Sequence, residues 1–330
     1  MLRREYGWDL GAANIAISNG SQSAFFILFN LFAGRCVDGS QRHILLPFVP
    51  EYIGYREIGV DGPIFRAERP SIEYLPDALF KYRVDFERLQ PTADTGAICV
   101  SRPTNPTGNV LTDAELQRLD ALARAHGVPL IVDGAYGTPF PEMLFAPATP
   151  HWNDNTVLVL SLSKLGLPGL RTGIIVAREE IVRDYSRAMT VLSLACGSVG
   201  PALGLELLND DALLRLSREE IKPFYAAKAQ RALDRVREGL VGLPVRIHKP
   251  EGAMFLWLWF EGLPGGSRAL YERLKQAGVL VVPGEGFFMG LDAPWAHSDE
   301  CLRVSYAQPD EAVARGIGII ADVARRSYGA

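Results

Sequence analysis

Seven polar residues lie at the carboxyl ends of short apolar runs that the sequence predicts to be strands. They are Ser21, Asn105, Asp133, Tyr136, Ser161, Lys164 and Arg171. The carboxyl ends of the strands of an open α/β sheet border one crevice, where ligands bind, so we expect these side chains to converge there. The set holds no histidine base and nothing with metal-ligand spacing. The set does hold a lysine amine, a carboxylate and groups that can bind a phosphate. This combination suits a phosphorylated aldehyde, which the lysine would hold as an imine.

Pyridoxal phosphate is such a compound, and its reactive end accounts for four of these residues. Lys164 would form the imine and later carry a proton as general base. Asp133 would pair with the ring nitrogen and keep it protonated, so that the ring can accept electrons. Asn105 and Tyr136 would hydrogen-bond the phenolate oxygen of the ring.

The phosphate of that cofactor accounts for the others. Ser21 and Gln22 stand at the start of a predicted helix, where backbone N–H groups and the helix dipole favour an anion. Ser161 and a bidentate Arg171 would complete the phosphate site.

The elements that position these residues indicate a mostly parallel α/β sheet. Predicted strands cover residues 15–17, 44–48, 97–100, 128–132, 156–160 and 174–177. A buried helix is expected over residues 24–32. Thr112 and Glu115 form a capping box that starts another helix, which Gly127 ends.

The pattern of predicted strands and helices changes after about residue 205. Charged helices over residues 213–220 and 224–240 precede predicted strands at 253–260 and 279–282. We therefore expect a large cofactor-binding domain over residues 1–222 and a smaller α+β domain over residues 223–330.

Three ordered motifs carry a family resemblance. They are Asn105-Pro106-Thr107-Gly108, Asp133-Gly134-Ala135-Tyr136, and Ser161-Leu162-Ser163-Lys164 with Arg171. The chain resembles the fold type I pyridoxal-phosphate enzymes, the class I/II aminotransferases with the aspartate-aminotransferase-like fold. The resemblance covers essentially the whole chain.

Further segments resemble the branch of that family that transaminates L-valine with pyruvate. They include Pro50-Glu51-Tyr52-Ile53-Gly54-Tyr55, His248-Lys249-Pro250-Glu251-Gly252-Ala253 and Leu302-Arg303-Val304-Ser305-Tyr306. The resemblance implies the products 3-methyl-2-oxobutanoate and L-alanine, and a homodimer with shared active sites. It also implies that Arg303 clamps the substrate α-carboxylate and that Asn105 contacts substrate as well as cofactor.

Two departures from the family pattern stand out. At the position where family members stack an aromatic residue on the cofactor ring, this sequence has Val49. Tyr52 is therefore the expected substitute. Family members also have several tens of residues ahead of the position of Met1, a part that closes over substrate and contacts the neighbouring subunit's phosphate. We therefore expect an N-terminally incomplete large domain.

Composition excludes several classes of function. The 330 residues include 34 Lys+Arg and 38 Asp+Glu, a net charge of −4, which does not favour a nucleic-acid partner. No apolar run approaches the length of a membrane span, and the first six residues do not resemble a signal peptide. Four scattered cysteines suggest neither a disulfide framework nor a zinc site. A cytoplasmic protein is expected.

Alternatives remain at this stage. The same scaffold carries alanine or broad-range aminotransferases and β-lyases, because the site and not the fold selects the reaction. A pyridoxal-phosphate-binding sensor, or an inactive truncated fragment, would also carry these motifs.

Overall fold

A computed structural model describes residues 1–209 and 211–329. Its α-helices are α1 Leu2–Tyr6, α2 Ser21–Phe32, α3 Asp113–Ala125, α4 Glu179–Ser193, α5 Val199–Asn209, α6 Ala212–Arg215, α7 Lys222–Gly239, α8 Gly266–Gln276 and α9 Asp310–Tyr328. A π-helical turn, Leu216–Ile221, joins α6 to α7.

The strands form two sheets. They are β1 Ile15–Ser18, β2 Gly34–Arg35, β3 Gln41–Leu46, β4 Phe65–Ala67, β5 Ser71–Tyr74, β6 Leu79–Arg83, β7 Thr95–Ser101, β8 Leu130–Asp133, β9 Thr156–Ser161, β10 Gly173–Val176, β11 Val245–His248, β12 Phe255–Phe260, β13 Val282–Pro283 and β14 Cys301–Ser305. The larger sheet has the order β1-β10-β9-β8-β7-β3-β2, with β4 beside β3.

The centre of the larger sheet is parallel, and its margins are antiparallel. Strands β9, β8, β7, β3 and β4 pair in parallel, whereas β10 runs antiparallel to both β9 and β1. The parallel strands β7, β8 and β9 are buried on both faces, which explains their unbroken apolar sequences. The predicted α/β fold with a mostly parallel sheet is confirmed.

Several predicted boundaries were wrong. Helix α2 already begins at Ser21, and β3 ends at Leu46, not at residue 48. Strand β12 begins at Phe255, because Ala253 has a φ of 61° that strand backbone does not adopt. Of the strand predicted at 279–282, only Val282 and its neighbour Pro283 pair, with β14. The predicted helices near 213–220 and 224–240 are joined through the π-helical turn.

The smaller sheet has the order β13-β14-β12-β11-β6-β5. Strands β5 and β6 come from residues 71–83, which the sequence did not mark as strands, and β6 pairs with β11 in parallel. The smaller sheet therefore draws strands from both halves of the chain. The domain division at residues 222/223 stays a prediction.

Each sheet has its own buried core. Phe25, Phe29 and Tyr55 pack with the parallel strands in the first, and Leu258, Phe260 and α9 residues pack in the second. The capping box of Thr112 and Glu115 that was predicted for α3 is present. Within the described residues, no helix is long and apolar enough to cross a membrane.

Candidate active site

One cavity, of about 450 Å³, brings together all the predicted site residues. They are Ser21, Gln22, Tyr52, Asn105, Asp133, Tyr136, Ser161, Lys164, Arg171 and Arg303. The strand register explains part of the clustering, since Ser101, Asp133 and Val159 are neighbours across β7, β8 and β9. Arg171 reaches the same edge from the amino end of β10, because that strand is antiparallel. The expectation that it follows a strand's carboxyl end was wrong.

Asp133 ends β8 and lies almost completely buried at the base of the cavity. The Tyr55 hydroxyl donates to its Oδ2 at 2.6 Å, and the Ala135 N–H donates to its Oδ1 at 2.8 Å. Burial raises the pKa of this carboxyl above its ordinary value, and the Tyr55 hydrogen bond, the Ala135 hydrogen bond and the positive charge of Lys164 offset only part of that rise. The site therefore holds a carboxylate with two fixed donors and a nearby cation.

Lys164 stands in the 3-10 turn Ser163–Leu165, just beyond β9. Its Nζ lies 5.1 Å from the centroid of the Tyr136 ring and has no hydrogen-bond partner among the described residues. Burial lowers the pKa of this amine, and the positive charges of Arg303 and Arg171 lower it further, against the opposing charge of Asp133. An amine with a lowered pKa is more often neutral near pH 7, so it can act as a nucleophile or a base.

The N-terminus of α2 faces the same cavity and has free backbone donors. The Ala24 N–H is the first in the helix to donate an intrahelical hydrogen bond, to the Gly20 carbonyl. The N–H groups of Ser21 and Gln22 therefore have no intrahelical partner. The Gln22 side chain is already used, because its Nε2 donates to the Gly54 carbonyl at 2.8 Å. One hydrogen of the Gln22 amide is therefore used, whereas its backbone N–H is available to an anion.

Gly20 allows Arg171 to approach that helix end. Its φ is +91°, and a Cβ there would lie 2.9 Å from Arg171 Cζ and closer still to Nη2. Arg171 Nη1 donates to Ser163 Oγ at 3.4 Å. Ser161 is buried, and its Oγ accepts the Ser163 N–H at 3.2 Å. These groups form a cationic, donor-rich end of the cavity.

Arg303 lies in the middle of β14 at the opposite wall. Its Nη1 donates to Asn105 Oδ1 at 2.8 Å. Its guanidinium carbon lies 4.4 Å from the Phe255 ring centroid and 5.3 Å from that of Phe287, so two aromatic rings flank the charge. Such fixed, half-buried guanidinium geometry favours a bidentate contact with a carboxylate.

Two tyrosines complete the walls. Tyr136 is buried, and its ring meets Phe255 edge to face at 5.8 Å. Tyr52 meets the Tyr55 ring edge to face at 5.2 Å and lines the cavity. Val49 is fully buried in the core and does not line the cavity. Of the two positions considered for ring stacking, only Tyr52 is therefore exposed to a ligand.

Sequence reasoning missed several contributors. Tyr55 binds Asp133, Ser163 lies between Ser161 and Arg171, and Phe255 packs on Arg303. Tyr55 and Ser163 lie inside motifs that the sequence singled out, so their position was an available signal. The contact of Phe255 depends on how the second sheet meets the first, which no local pattern reports.

Comparisons with known proteins agree with this geometry. The family model described as aminotransferase class I and II matches residues 60–320. The valine–pyruvate aminotransferase of Escherichia coli (strain K12) is 53% identical over 328 residues, which cover 99% of this chain and 79% of that protein. The 2-aminoadipate transaminase of Thermus thermophilus (strain ATCC BAA-163) is 29% identical over 320 residues, covering 92% of this chain and 73% of that protein.

Solved structures give the same result. The crystal structure of valine–pyruvate aminotransferase from Salmonella typhimurium LT2 matches with a TM-score of 0.94 at 50% identity, covering 99% of this chain and 82% of that one. A putative amino-acid aminotransferase from Psychrobacter arcticum 273-4 matches with a TM-score of 0.97 at 46% identity, covering 99% and 78%. From sequence, fold and the family match together, this chain belongs to the class I and II aminotransferase family.

Proposed function

We propose that this chain is a pyridoxal-phosphate-dependent aminotransferase that exchanges the amino group between L-valine and pyruvate. The products would be 3-methyl-2-oxobutanoate and L-alanine. The observation that carries the proposal is that Lys164, the Asp133 carboxylate and the Arg303 guanidinium line one cavity. The 53% identity to a valine–pyruvate aminotransferase supports the choice of substrates.

The residues present fit pyridoxal phosphate. Asp133 is a buried carboxylate that already accepts two hydrogen bonds, which suits a pyridinium N–H as a further donor. Arg171 and the N-terminus of α2, with Ser21, Gln22 and Ser161, suit a phosphate. Asn105 and Tyr136 suit the ring oxygen, and Tyr52 suits the face of the ring.

The bound cofactor supplies an aldehyde that takes up amino groups and a ring that withdraws electrons. With the cofactor bound, Lys164 would hold its aldehyde carbon through Nζ, and the released amine would take a proton from the substrate α-carbon and return it to that former aldehyde carbon, across the nitrogen. Burial lowers the pKa of this amine, which favours the neutral form that can accept a proton. Asp133 would keep a proton on the ring nitrogen of the bound cofactor.

Arg303 orients the substrate by binding its α-carboxylate through both nitrogens of the guanidinium fork. Among the described residues that line the cavity, the cations are Lys164, Arg171 and Arg303, and each has a task in this scheme. No cation in that lining is left for a second carboxylate. The apolar wall, with Met254 and Phe255, suits an aliphatic side chain.

We further propose a cytoplasmic homodimer. Apolar side chains are exposed together on α4, α5 and the segment between them: Val191, Leu192, Leu194, Val199, Leu203 and Leu205. A second copy would cover such a surface. The four cysteines are free thiols, as is usual in a reducing compartment.

The test is an absorption spectrum of the purified chain with pyridoxal phosphate, then L-valine, then pyruvate. We expect a visible band that valine bleaches and pyruvate restores. Lys164→Ala should show no such band, whereas the matched control Lys275→Ala, at an exposed lysine that contacts Tyr271, should behave like the parent. A band that persists in Lys164→Ala would contradict the assignment of the reactive amine.

The same experiment separates the competing reactions. A β-lyase would release keto acid and ammonia without any need for pyruvate, and a sensor would bind the cofactor without amino-acid-dependent bleaching. A transaminase alone cycles between two absorbing forms with stoichiometric alanine. Measuring alanine formed per valine consumed therefore decides among them.

A further inference from the structure

Glu51 is an acid that the scheme above does not use. It lies at 1% exposure just below the cavity, between Pro50 and Tyr52. Its Oε1 accepts the Ser101 N–H at 2.8 Å, and its Oε2 accepts the Ser101 hydroxyl at 2.6 Å and the Tyr52 N–H at 3.2 Å. No nitrogen of a Lys, Arg or His side chain within the described ranges lies in ion-pair distance of it.

The titratable groups around Glu51 offer it no compensating positive charge. Asp133 is next to Ser101 across the β7–β8 ladder, Cys99 lies on β7, and Tyr55 is on the same loop. Burial raises the pKa of Glu51 to about 7; the two Ser101 hydrogen bonds oppose this, and the negative charge of Asp133 adds to it. Two carboxyls thus share one buried region beneath the cavity.

The two acids are not equivalent. Asp133 receives the Tyr55 hydroxyl and the Ala135 N–H, and it also has the charge of Lys164 nearby. Glu51 has neutral donors and a like charge. Neighbouring carboxyls in a buried site do not both ionise readily. We therefore expect the proton on Glu51, which has no cation nearby among the described residues.

We propose that Glu51 is a positioning residue that carries a proton in the folded protein, so that Asp133 alone holds the negative charge beneath the cavity. This inference rests on the proposed function, because Asp133 is the carboxylate that would hold the ring nitrogen of the cofactor. A protonated Glu51 fits its surroundings, because the hydroxyl of Ser101 can accept as well as donate across the same 2.6 Å contact.

The same residue connects three parts of the site. The Glu51 N–H donates to the Phe287 carbonyl at 2.9 Å, and the Phe287 ring flanks Arg303. The Glu51 carboxyl is bonded to Ser101 at the end of β7 and to the backbone of Tyr52. A neutral Glu51 therefore docks the Tyr52 loop on the sheet without placing a second anion beside Asp133.

Infrared spectroscopy of the chain without cofactor tests this directly. We expect a protonated-carboxyl C=O band that disappears as the pH rises through about 7 and is missing in Glu51→Gln. The matched control is Glu57→Gln, which makes the same change at a carboxyl on the same loop that is 89% exposed. It should leave the band in place. A wild-type spectrum with no such band at pH 6 would overturn the proposal.

Asp133→Asn provides a second measurement that keeps Glu51 itself intact. Removing the like charge should move the disappearance of the Glu51 band to lower pH by about one unit. A band that does not move would show that the two acids are uncoupled, and this would also overturn the proposal.

The pH dependence of unfolding is a third readout. The Glu51 carboxyl has a folded pKa above its unfolded value, so the native state binds more protons between about pH 4.5 and 7. Relative to Glu51→Gln, the unfolding constant of the parent should rise with pH across that window, by up to about tenfold per unit. Parallel curves would count against a protonated Glu51.

These experiments need neither cofactor nor substrate. Their failure would remove the role of Glu51 and leave the spectral cycle of Lys164 untouched. Conversely, a missing spectral cycle with a confirmed Glu51 band would refute the proposed reaction and leave the buried acid in place.

Discussion

Arg303 Nη1 donates to Asn105 Oδ1 at 2.8 Å, joining β14 of the smaller sheet to the loop that follows β7 in the larger sheet. The two residues are 198 positions apart in the chain. This single hydrogen bond orients the guanidinium between Phe255 and Phe287. In the proposed function it would therefore set where the substrate carboxylate binds relative to Lys164.

That relationship predicts the behaviour of Arg303→Lys. The ammonium keeps the charge but loses the fork, so we expect the KM for L-valine to rise at least thirtyfold, about 2 kcal/mol, with a smaller effect on kcat. Arg246→Lys is the control, since Arg246 also lies in the smaller sheet and binds Glu261. Steady-state kinetics decide, and equal KM values in the two variants would contradict the clamp.

Tyr55→Phe should weaken the reaction without unfolding the protein. The variant keeps the ring in its packing with Phe29 and removes only the hydroxyl that donates to Asp133. We expect kcat to fall about tenfold, because a hydrogen bond to a charged group contributes about 1.5 to 3 kcal/mol. Tyr74→Phe, at an exposed tyrosine, is the matched control. An unchanged kcat in Tyr55→Phe would show that the hydroxyl does not support Asp133.

Gly20→Ala should reduce cofactor affinity. The new Cβ would displace the Arg171 guanidinium, and the φ of +91° disfavours any side chain. We expect the Kd for pyridoxal phosphate to rise at least tenfold, or about 1.4 kcal/mol. Gly39→Ala is the control, because Gly39 also has a positive φ of 82° but open space around it. Equal affinities would mean that Arg171 does not contact the phosphate.

Stability should fall in acid because of buried neutral histidines. Burial lowers the pKa of His297 to about 3, and its ring contacts the Tyr82 hydroxyl. Because the unfolded chain binds a proton near pH 6.5 that the native state does not bind, the contribution of His297 to the free energy of unfolding should fall between about pH 6.5 and 3, by up to about 1.4 kcal/mol per unit.

Urea unfolding at several pH values checks this expectation. His297→Gln should show a shallower acid slope than the parent, and His126→Gln, at an exposed histidine, should not. The result that would refute the explanation is an identical slope in the parent and His297→Gln.

Local patterns in the sequence were enough to identify most of the cavity. Polar residues such as Asp133 and Ser161 mark the ends of buried strands, and the capping box of Thr112 marks the start of α3. These signals are local, since strand burial and helix capping depend on neighbours a few residues away. The family motifs added Arg303, which lies far from the others in the chain.

Other features depended on contacts that no segment contains by itself. The direction of β10 decided how Arg171 reaches the site, and the pairing of β6 with β11 placed residues 79–83 in the smaller sheet. Short, weakly patterned strands such as β4 and β5 pair because partners are available, so their own sequence shows little.

The sequence by itself determined which chemical groups this protein has and the order in which strands and helices present them. Only the tertiary structure decided their electrostatic state. Glu51 and Asp133 are both acids within a few residues of motif prolines or glycines, yet in the part of the chain that the structure describes Asp133 has a cation nearby and Glu51 has none. A pKa depends on burial and on charges from distant segments, and these exist only once the two sheets have packed together.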